Sequence, residues 1–206
     1  MRRLLLSLLL ASPLAWASPA PPAPVPLDVV ELVNFTCPHC RHMDAYVPGL
    51  RKRVLATGGL YRMAPVGPVL DKEPAISVRF WYALDDIAGD AVADKAARYL
   101  YTGYTKGAAL DSVAGIDAWL SNYMPGLPPI SRLRKVTYSP LTKYQWEKAL
   151  ALFHYLKSRK VPAFLVLDAD VYALAGTVQR DVSGNHDAEA INMSVENLIT
   201  RTETPK

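Results

Sequence analysis

The chain has 206 residues and a mass of 22.7 kDa; half of its residues are hydrophobic and a fifth are charged. This length and composition are typical of one well-packed domain with room for an insertion, and they argue against intrinsic disorder. The formal net charge is +4. Because so small an excess of basic residues is scattered along the chain, the charge does not indicate nucleic-acid binding.

The first 17 residues have the pattern of a secretory signal peptide. Arg2 and Arg3 precede a short apolar run, and Ala15-Trp16-Ala17 fits a small-residue cleavage site. The alternative is a membrane anchor, but a span needs about 20 apolar residues, and Pro13 follows only a short run. We therefore expect residues 1–17 to be removed on export to a bacterial periplasm. The mature chain would then have a net charge of about +2, since both arginines leave without an acid.

A short leader and a buried strand are predicted next. Residues 18–26 are nearly all Pro, Ala and Ser, which favours a semi-extended leader without a core of its own. Residues 29–35 are β-branched and apolar enough for a buried strand, with Glu31 as the one charged member. A charge there is costly unless it is partnered or protonated, so Glu31 should have an unusual environment. The alternative is an edge strand that exposes Glu31 to water.

A helix is predicted to begin directly after this strand. Cys37 occupies the N-cap position, Pro38 fits the first helical position, and the helical pattern ends at residues 57–59. Pro48 should kink or divide this helix. Residues 60–66 then predict a second, shorter strand, so the opening is strand, helix, strand. That order implies a parallel sheet.

Helical patterns broken by Gly and Pro dominate the section that follows. The predicted helices cover about 75–88, 90–102, 115–123 and 140–158. The last is the clearest, with Ser139 as N-cap and Pro140 at the first position, and its aromatic residues favour core packing over a cofactor site. Two strands joined as a hairpin and a final helix are predicted at 163–167, 171–174 and about 187–201.

The two cysteines of the chain, Cys37 and Cys40, are three positions apart. A bridge that closes so short a loop removes little unfolded-chain entropy, so a chemical role is favoured over a stabilising one. At a helix N-terminus, backbone N–H groups and the helix dipole stabilise a Cys37 thiolate, which makes Cys37 the reactive residue. Cys40 lies one turn further in and suits the resolving role. Of the intervening pair Pro38 and His39, the histidine can stabilise the reduced form and so make the disulfide oxidising.

Haem and metal binding are the alternatives for these cysteines. A c-type haem site needs His directly after the second cysteine, where this chain has Arg41. Zinc could recruit His39 or His42, but the other histidines, His154 and His186, lie far along the chain and no second cysteine pair exists. We therefore expect no metal and no organic cofactor.

Three features in order along the chain carry a resemblance to a known family. They are Phe35-Thr36-Cys37-Pro38-His39-Cys40 at a helix start, a helical insertion, and Val161-Pro162-Ala163-Phe164 before a strand. Over nearly all of its mature length, the chain resembles the DsbA family of thioredoxin-fold oxidoreductases. The resemblance implies an α/β thioredoxin fold formed by residues 27–72 and 159–203. Residues 73–158 would form an inserted helical domain.

The resemblance also implies roles for three residues outside the tetrapeptide. Pro162 would be cis and lie beside the disulfide, where the backbone of Val161 would pair with an extended substrate chain. The alternative is a trans proline at a strand start. Val161, where family members that reduce or isomerise more often have Thr, favours oxidation. Glu31 matches a buried acid that influences proton transfer at the resolving cysteine. Residues 64–70 depart from the family pattern.

These inferences predict a monomeric, exported dithiol-disulfide oxidase that introduces disulfide bonds into newly secreted proteins. The resemblance implies two kinds of partner: unfolded or partly folded exported polypeptides, and a membrane-bound, quinone-linked thiol oxidase. Two alternatives stay open. One is a reductase or isomerase, which usually needs a dimerisation domain or an electron donor. The other is a chaperone-like binding module of a secretion or assembly system that uses the cysteines little.

Overall fold

The computed structural model describes residues 26–67, 73–156 and 160–167. In order along the chain, these residues form β1 (Asp28–Val33), α1 (Pro38–Met43), α2 (Val47–Ala56), β2 (Tyr61–Pro65), α3 (Ile76–Ala88), α4 (Asp90–Lys106), α5 (Val113–Ser121), α6 (Ile130–Thr137), α7 (Pro140–Tyr155) and β3 (Ala163–Leu167). The predicted signal peptide, the strand at 171–174 and the helix at 187–201 lie outside the described residues. Among the helices that are described, none has the length and apolar character needed to cross a bilayer.

The three described strands form one mixed sheet in the order β2-β1-β3. β1 is parallel to β2, which confirms the predicted strand-helix-strand opening, and antiparallel to β3. Glu31 lies at the middle of β1, opposite Met63 on one side and Phe164 on the other. The edge-strand alternative for Glu31 is therefore wrong.

The helix after β1 is divided, as Pro48 predicts. α1 ends at Met43, and α2 begins at Val47 with the proline in its first turn. Pro can occupy a first turn because the backbone N–H it lacks would have no partner there. A small core lies between these two helices and one face of the sheet, and its buried members include Met43, Leu50, Phe164 and Val166.

A larger core lies on the other face of the sheet. Because successive strand residues point to opposite faces, Leu165 belongs to this core while its neighbours Phe164 and Val166 belong to the smaller one. Helices α3 to α7 supply most of the rest, with Phe80 of α3 fully buried. Trp146 of α7 donates from Nε1 to the carbonyl of Val66 at 2.7 Å. That bond ties α7 to the residue that follows β2.

The helical section differs from its prediction in two places. α4 passes through Gly103 and ends only at Lys106, before Gly107 in the left-handed conformation (φ 69°). Gly103 is a packing position, because a Cβ there would lie 2.9 Å from side-chain atoms of Leu110 and Trp119. α6 is a helix that the pattern of residues 124–139 did not predict.

Candidate active site around Cys37 and Cys40

The turn after β1 places Cys37 at the start of α1. Asn34 accepts hydrogen bonds at its Oδ1 from both the backbone N–H and the hydroxyl of Thr36, each at 3.0 Å. The Asn34 carbonyl accepts from the Cys37 N–H, also at 3.0 Å. Cys37 is the N-cap residue in an extended conformation, and Pro38 follows in the first turn. The structure therefore has the helix start that the sequence predicts.

Cys37 is the more acidic of the two free cysteines. A hydrogen bond from the Cys40 side chain, with help from the backbone N–H groups of Cys40 and His39 and from the charge of His39, lowers the pKa of Cys37 to about 6. Partial burial acts in the opposite direction and is outweighed. A Cys37 sulfur with this pKa is largely thiolate at neutral pH.

Cys40 has the opposite character. It is fully buried (0% exposed), and this burial raises the pKa of its thiol; the hydrogen bond to Cys37 and the charge of Cys37 act in the same direction. The pair therefore consists of a half-buried thiolate and a shielded thiol. That division matches an attacking or leaving sulfur at Cys37 and a resolving sulfur at Cys40.

Val161 and Pro162 lie beside Cys37 although more than 120 positions separate them in sequence. The Val161–Pro162 peptide bond is cis, the geometry that the resemblance implied. Cys37 Sγ lies 3.4 Å from the Val161 carbonyl oxygen, which accepts a hydrogen bond from Cys37 when that cysteine is protonated. The fold thus brings together the two sequence segments that were expected to share the site.

Glu31 of β1 is buried (1% exposed). Burial raises the pKa of Glu31 to about 8. The Tyr61 hydroxyl opposes this shift by donating to Glu31 Oε2 at 3.0 Å, whereas the charges of Asp44 and Asp94 add to it. The charge of Glu31 in turn contributes to the raised pKa of Cys40. Glu31 therefore has the unusual environment that its sequence position predicts. Its ionisation and that of Cys40 influence each other.

Tyr101 of α4 is a site residue that sequence reasoning missed. Its ring packs edge-on against Phe35 with 5.4 Å between centroids. Its hydroxyl is buried and has no hydrogen-bond partner among the described residues. Burial, followed by the charges of Cys40 and Glu31, raises the pKa of Tyr101. Tyr101 of α4 thus lies near the two cysteines, close enough for their charges to affect its pKa.

Tyr101 belongs to a polar face of α4 that packs against α1 and α2; we call it the α4 seam. Its members recur at helical spacing and are Asp94, Arg98, Tyr101 and Thr105. Asp94 forms an ion pair with Arg51. Arg98 lies 3.4 Å from the carboxylate of Asp44. Thr105 accepts a hydrogen bond from Arg41 Nη1 at 2.6 Å. Two ion pairs and a hydrogen bond thus attach α4 to α1 and α2, beside the hydrophobic core that Cys40 and Tyr101 share.

A cleft of about 320 Å³ opens next to Cys37. The residues that line it are Phe35, Thr36, Cys37, Pro38, Arg41, Tyr101, Tyr104 and Thr105. No cluster of three or more His, Cys, Asp or Glu side chains suitable for a metal ion occurs in the described part of the chain. The chemistry that this arrangement supports is therefore thiol chemistry at Cys37.

The sequence matches no protein-family model and no curated protein, but the fold is similar to solved structures. The oxidoreductase DsbA from Xylella fastidiosa shares 17% identity at a TM-score of 0.62, with 88% of each chain covered. Pseudomonas aeruginosa DsbA shares 17% sequence identity at a TM-score of 0.63, and the match covers 88% of this chain and 85% of that protein. A Nitrosomonas europaea protein, provisionally described as a protein disulfide isomerase, shares 12% sequence identity at a TM-score of 0.64. The match covers 85% of this chain and 98% of that protein.

These similarities show the fold. The chain has the architecture of DsbA, a thioredoxin fold with an inserted helical domain, which confirms the α/β fold class predicted from its sequence.

Proposed function

We propose that the protein is an exported thiol-disulfide oxidoreductase that oxidises dithiols in newly secreted polypeptides. The observation that supports this best is the opposite character of the two cysteines. The pKa of Cys37 is lowered to about 6, whereas the pKa of the buried Cys40 is raised. A pair with one stabilised thiolate favours the dithiol form, and a disulfide whose reduced form is stabilised is an oxidant.

The oxidation consists of two exchange steps. A substrate thiolate attacks Cys37 Sγ of the disulfide, the bond to Cys40 breaks, and Cys40 leaves with the electron pair and takes up a proton. A second substrate thiolate then attacks the substrate sulfur of the mixed disulfide, and Cys37 leaves as its stabilised thiolate. Two electrons pass from the substrate dithiol to the protein.

The remaining site residues have proposed roles in these steps. The backbone of Val161 and the cis Pro162 lie beside Cys37 and would align an extended substrate chain. His39 and Pro38 would tune the reduction potential, and Glu31 would exchange protons with Cys40. We further propose residues 27–72 and 159–203 as the redox domain and residues 73–158 as the helical insertion.

Location and partners belong to the same proposal. The signal-peptide pattern of residues 1–17 and the fold shared with DsbA proteins support a periplasmic monomer that acts on unfolded exported polypeptides. A membrane-bound, quinone-linked thiol oxidase would return the Cys37–Cys40 pair to its disulfide. No metal, organic cofactor or nucleic acid takes part in the proposed reaction.

The test is oxidation of reduced, unfolded ribonuclease A by the purified, oxidised protein, with disulfide formation followed by thiol titration. We expect the wild type to form disulfides and both Cys37→Ser and Cys40→Ser, which lack the disulfide, to form none. Reduced Cys40→Ser mixed with glutathione disulfide should instead accumulate a mixed disulfide at Cys37, with release of one glutathione, because no resolving thiol is present. Alkylation of Cys37 in the reduced protein should rise with pH about a midpoint near 6. A Cys37→Ser variant that still suppresses aggregation, without redox activity in the wild type, would instead indicate a chaperone.

The direction of electron flow is tested by equilibration with glutathione buffers. DsbA has a reduction potential of roughly −120 mV and thioredoxin of roughly −270 mV, which serve as the two reference points. We expect a value nearer that of DsbA, because the Cys37 thiolate is stabilised. A value near that of thioredoxin would favour a reductase and contradict the oxidase.

A further inference from the structure

The cleft beside Cys37 contains a cation without an acidic partner. Among the described residues that line it, Arg41 is the one cation and none is Asp or Glu; the others are aromatic or hydroxyl-bearing, apart from Pro38 and Cys37. In the oxidised protein, which meets the substrate, Cys37 is part of the disulfide and has no charge. Arg41 is half-buried, and its one hydrogen bond to a described side chain goes to the neutral hydroxyl of Thr105 at 2.6 Å. A guanidinium has five N–H donors, so most of them remain available in the cleft.

Two other arginines lie where α4 packs against α1 and α2, and both have an acidic partner. Arg51 is paired with Asp94, and Arg98 with Asp44. Arg41 is also the member of this group that lines the Cys37 cleft. Guanidinium groups bind carboxylates through two parallel hydrogen bonds, which makes a carboxylate the chemically matched ligand.

The position of Arg41 fixes how far such a ligand is from the reacting sulfur. Arg41 lies one helical turn after Cys37, and its N–H donates to the Cys37 carbonyl at 3.2 Å. Side chains four apart on a helix are neighbours, with roughly 5–6 Å between their Cβ atoms. An extended substrate rises roughly 3.3 Å per residue. A carboxylate bound by Arg41 would therefore be within one or two residues of the substrate cysteine.

We propose that Arg41 and the cleft beside Cys37 form a carboxylate subsite, which selects thiol substrates that have a carboxylate close to the reacting sulfur. The proposal rests on the oxidoreductase function above and names its substrate class. The carboxylate can come from an acidic side chain of a polypeptide or from a small thiol such as glutathione. In either case it stays ionised and forms no bond during exchange; it positions the attacking thiolate at Cys37 Sγ.

The experiment compares the second-order rate constants with which the oxidised protein, in a single turnover, oxidises dithiol peptides that differ only in Glu or Gln at one position. That position is one or two residues before or after the cysteine. A second arm compares glutathione with its glycyl ethyl ester, which has one carboxylate fewer. We expect a carboxylate at the favoured position to raise the rate constant about 3- to 10-fold at low ionic strength, with a smaller ratio as salt is added.

Substitutions of Arg41 test whether this residue causes the preference for a carboxylate. Arg41→Gln should bring the Glu/Gln ratio to about 1, Arg41→Lys should keep part of it, and Arg41→Glu should reverse it. Arg132→Gln is the matched control, since it removes one exposed positive charge from α6, outside the cleft, and should keep the wild-type ratio. A preference confined to peptides or confined to glutathione identifies the source of the carboxylate.

Equal rates for all peptide and glutathione pairs would overturn the subsite, as would a preference that survives in Arg41→Gln. If the wild type oxidises no thiol at all, the proposed function fails separately. The subsite is then decided by fluorescence titration of the Cys37→Ser/Cys40→Ser protein with the same peptides. Tighter binding of Glu than of Gln peptides, lost in Arg41→Gln, would support it, and equal binding would overturn it.

Discussion

Glu31 illustrates how one buried side chain can set a pH dependence. It lies on the central strand of the described sheet, accepts one hydrogen bond from Tyr61, and has a pKa raised by burial to about 8. At neutral pH this carboxyl group is therefore mostly protonated in the reduced protein. In the proposed mechanism the protonated Glu31 supplies the proton that Cys40 takes up on leaving, and the Glu31 carboxylate so formed receives a proton back when Cys40 loses its own.

The same shift predicts the effect of Glu31→Gln on stability. A carboxyl group with a raised folded-state pKa favours folding below its unfolded pKa and loses that contribution as pH rises through about 8. Glutamine keeps the acceptor for Tyr61 and does not titrate. We expect the variant to match wild type near pH 4.5 and to be more stable by up to about 4 kcal/mol near pH 8.5. Urea unfolding of the reduced wild type and of the reduced variant at the two pH values measures these differences in free energy of unfolding.

Glu73→Gln is the control for this prediction, because it makes the same chemical change at an exposed position (63% exposed). It should show no such dependence on pH. A Glu31→Gln variant whose stability difference from wild type is the same at both pH values would contradict the burial account.

The sequence identified Glu31 but not its partner. A charge within an apolar strand is visible in the sequence, and its burial follows from the strand's central position. Tyr61 is opposite Val29, two residues before Glu31, so the hydrogen bond runs diagonally across the β1–β2 pair. That contact depends on the strand register, which the hydrophobic pattern alone does not determine.

The β1–β2 pair depends on one close backbone approach. A Cβ at Gly59, just before β2, would lie 1.8 Å from the carbonyl oxygen of Leu27. Backbone atoms cannot rotate away as a flexible side chain can. We therefore expect Gly59→Ala to lower the free energy of unfolding by more than about 2 kcal/mol, measured by urea denaturation.

Gly49→Ala is the matched control, because a Cβ in that part of α2 would meet no atom within 4 Å. Alanine has the higher helix propensity, so this variant should be more stable than wild type by about 0.5–1 kcal/mol. Equal midpoints for the two variants would show that Gly59 does not determine the strand spacing.

At the scale of elements, the strands and the helix at Cys37 were predictable and parts of the helical section were not. The Cys37 region combines a β-branched run, an N-cap and a proline that all indicate the same structure. The sequence pattern predicts that the helix ends before Gly103, yet Gly103 lies within α4 and packs against Leu110 and Trp119. α6 was missed because its eight residues follow Pro128 and Pro129 and present few apolar positions.

Over the whole molecule, the α4 seam connects the helical section to the cysteine helix through charged groups. Asp94 and Arg51 are mostly buried (15% and 22% exposed), and each has a buried polar atom without a described partner. Burial outweighs the attraction of Arg51 and raises the pKa of Asp94 to about 6. The pair as a unit should therefore contribute little net stability, although either member alone would be a poorly compensated buried charge.

We accordingly expect Arg51→Leu to lower the free energy of unfolding at pH 7.5 by about 1–3 kcal/mol, because it leaves the charge of Asp94 buried without its partner. The double variant Arg51→Leu/Asp94→Leu should lose less, because it removes both desolvated charges. Arg98→Ala is the control at an exposed position of the same seam (52% exposed) and should cost under about 1 kcal/mol. Urea unfolding of all three variants is the measurement; equal losses for Arg51→Leu and Arg98→Ala would contradict this account.

The fold class followed from the order of motifs along the chain, whereas the seam could not have been predicted. Its ion pairs join residues more than 40 positions apart, and each charge taken alone is indistinguishable from one on a solvated helix face. Only the packing of α4 against α1 and α2 makes them partners. Tyr101 could not be predicted for the same reason. The two cysteines form a motif that is visible in the sequence, whereas the place of Tyr101 near them depends on how α4 packs.

The contrast between Cys37 and Cys40 also governs the lifetime of a covalent intermediate. Once a substrate is linked to Cys37, two reactions compete: Cys40 can release the substrate unchanged, or the second substrate thiol can complete a new bond. A buried Cys40 with a raised pKa is rarely a thiolate, so the unproductive return is slow. If the protein oxidises polypeptides as proposed, a slow-folding substrate gains time for its distant second cysteine to arrive, and the yield of product per encounter rises with that waiting time.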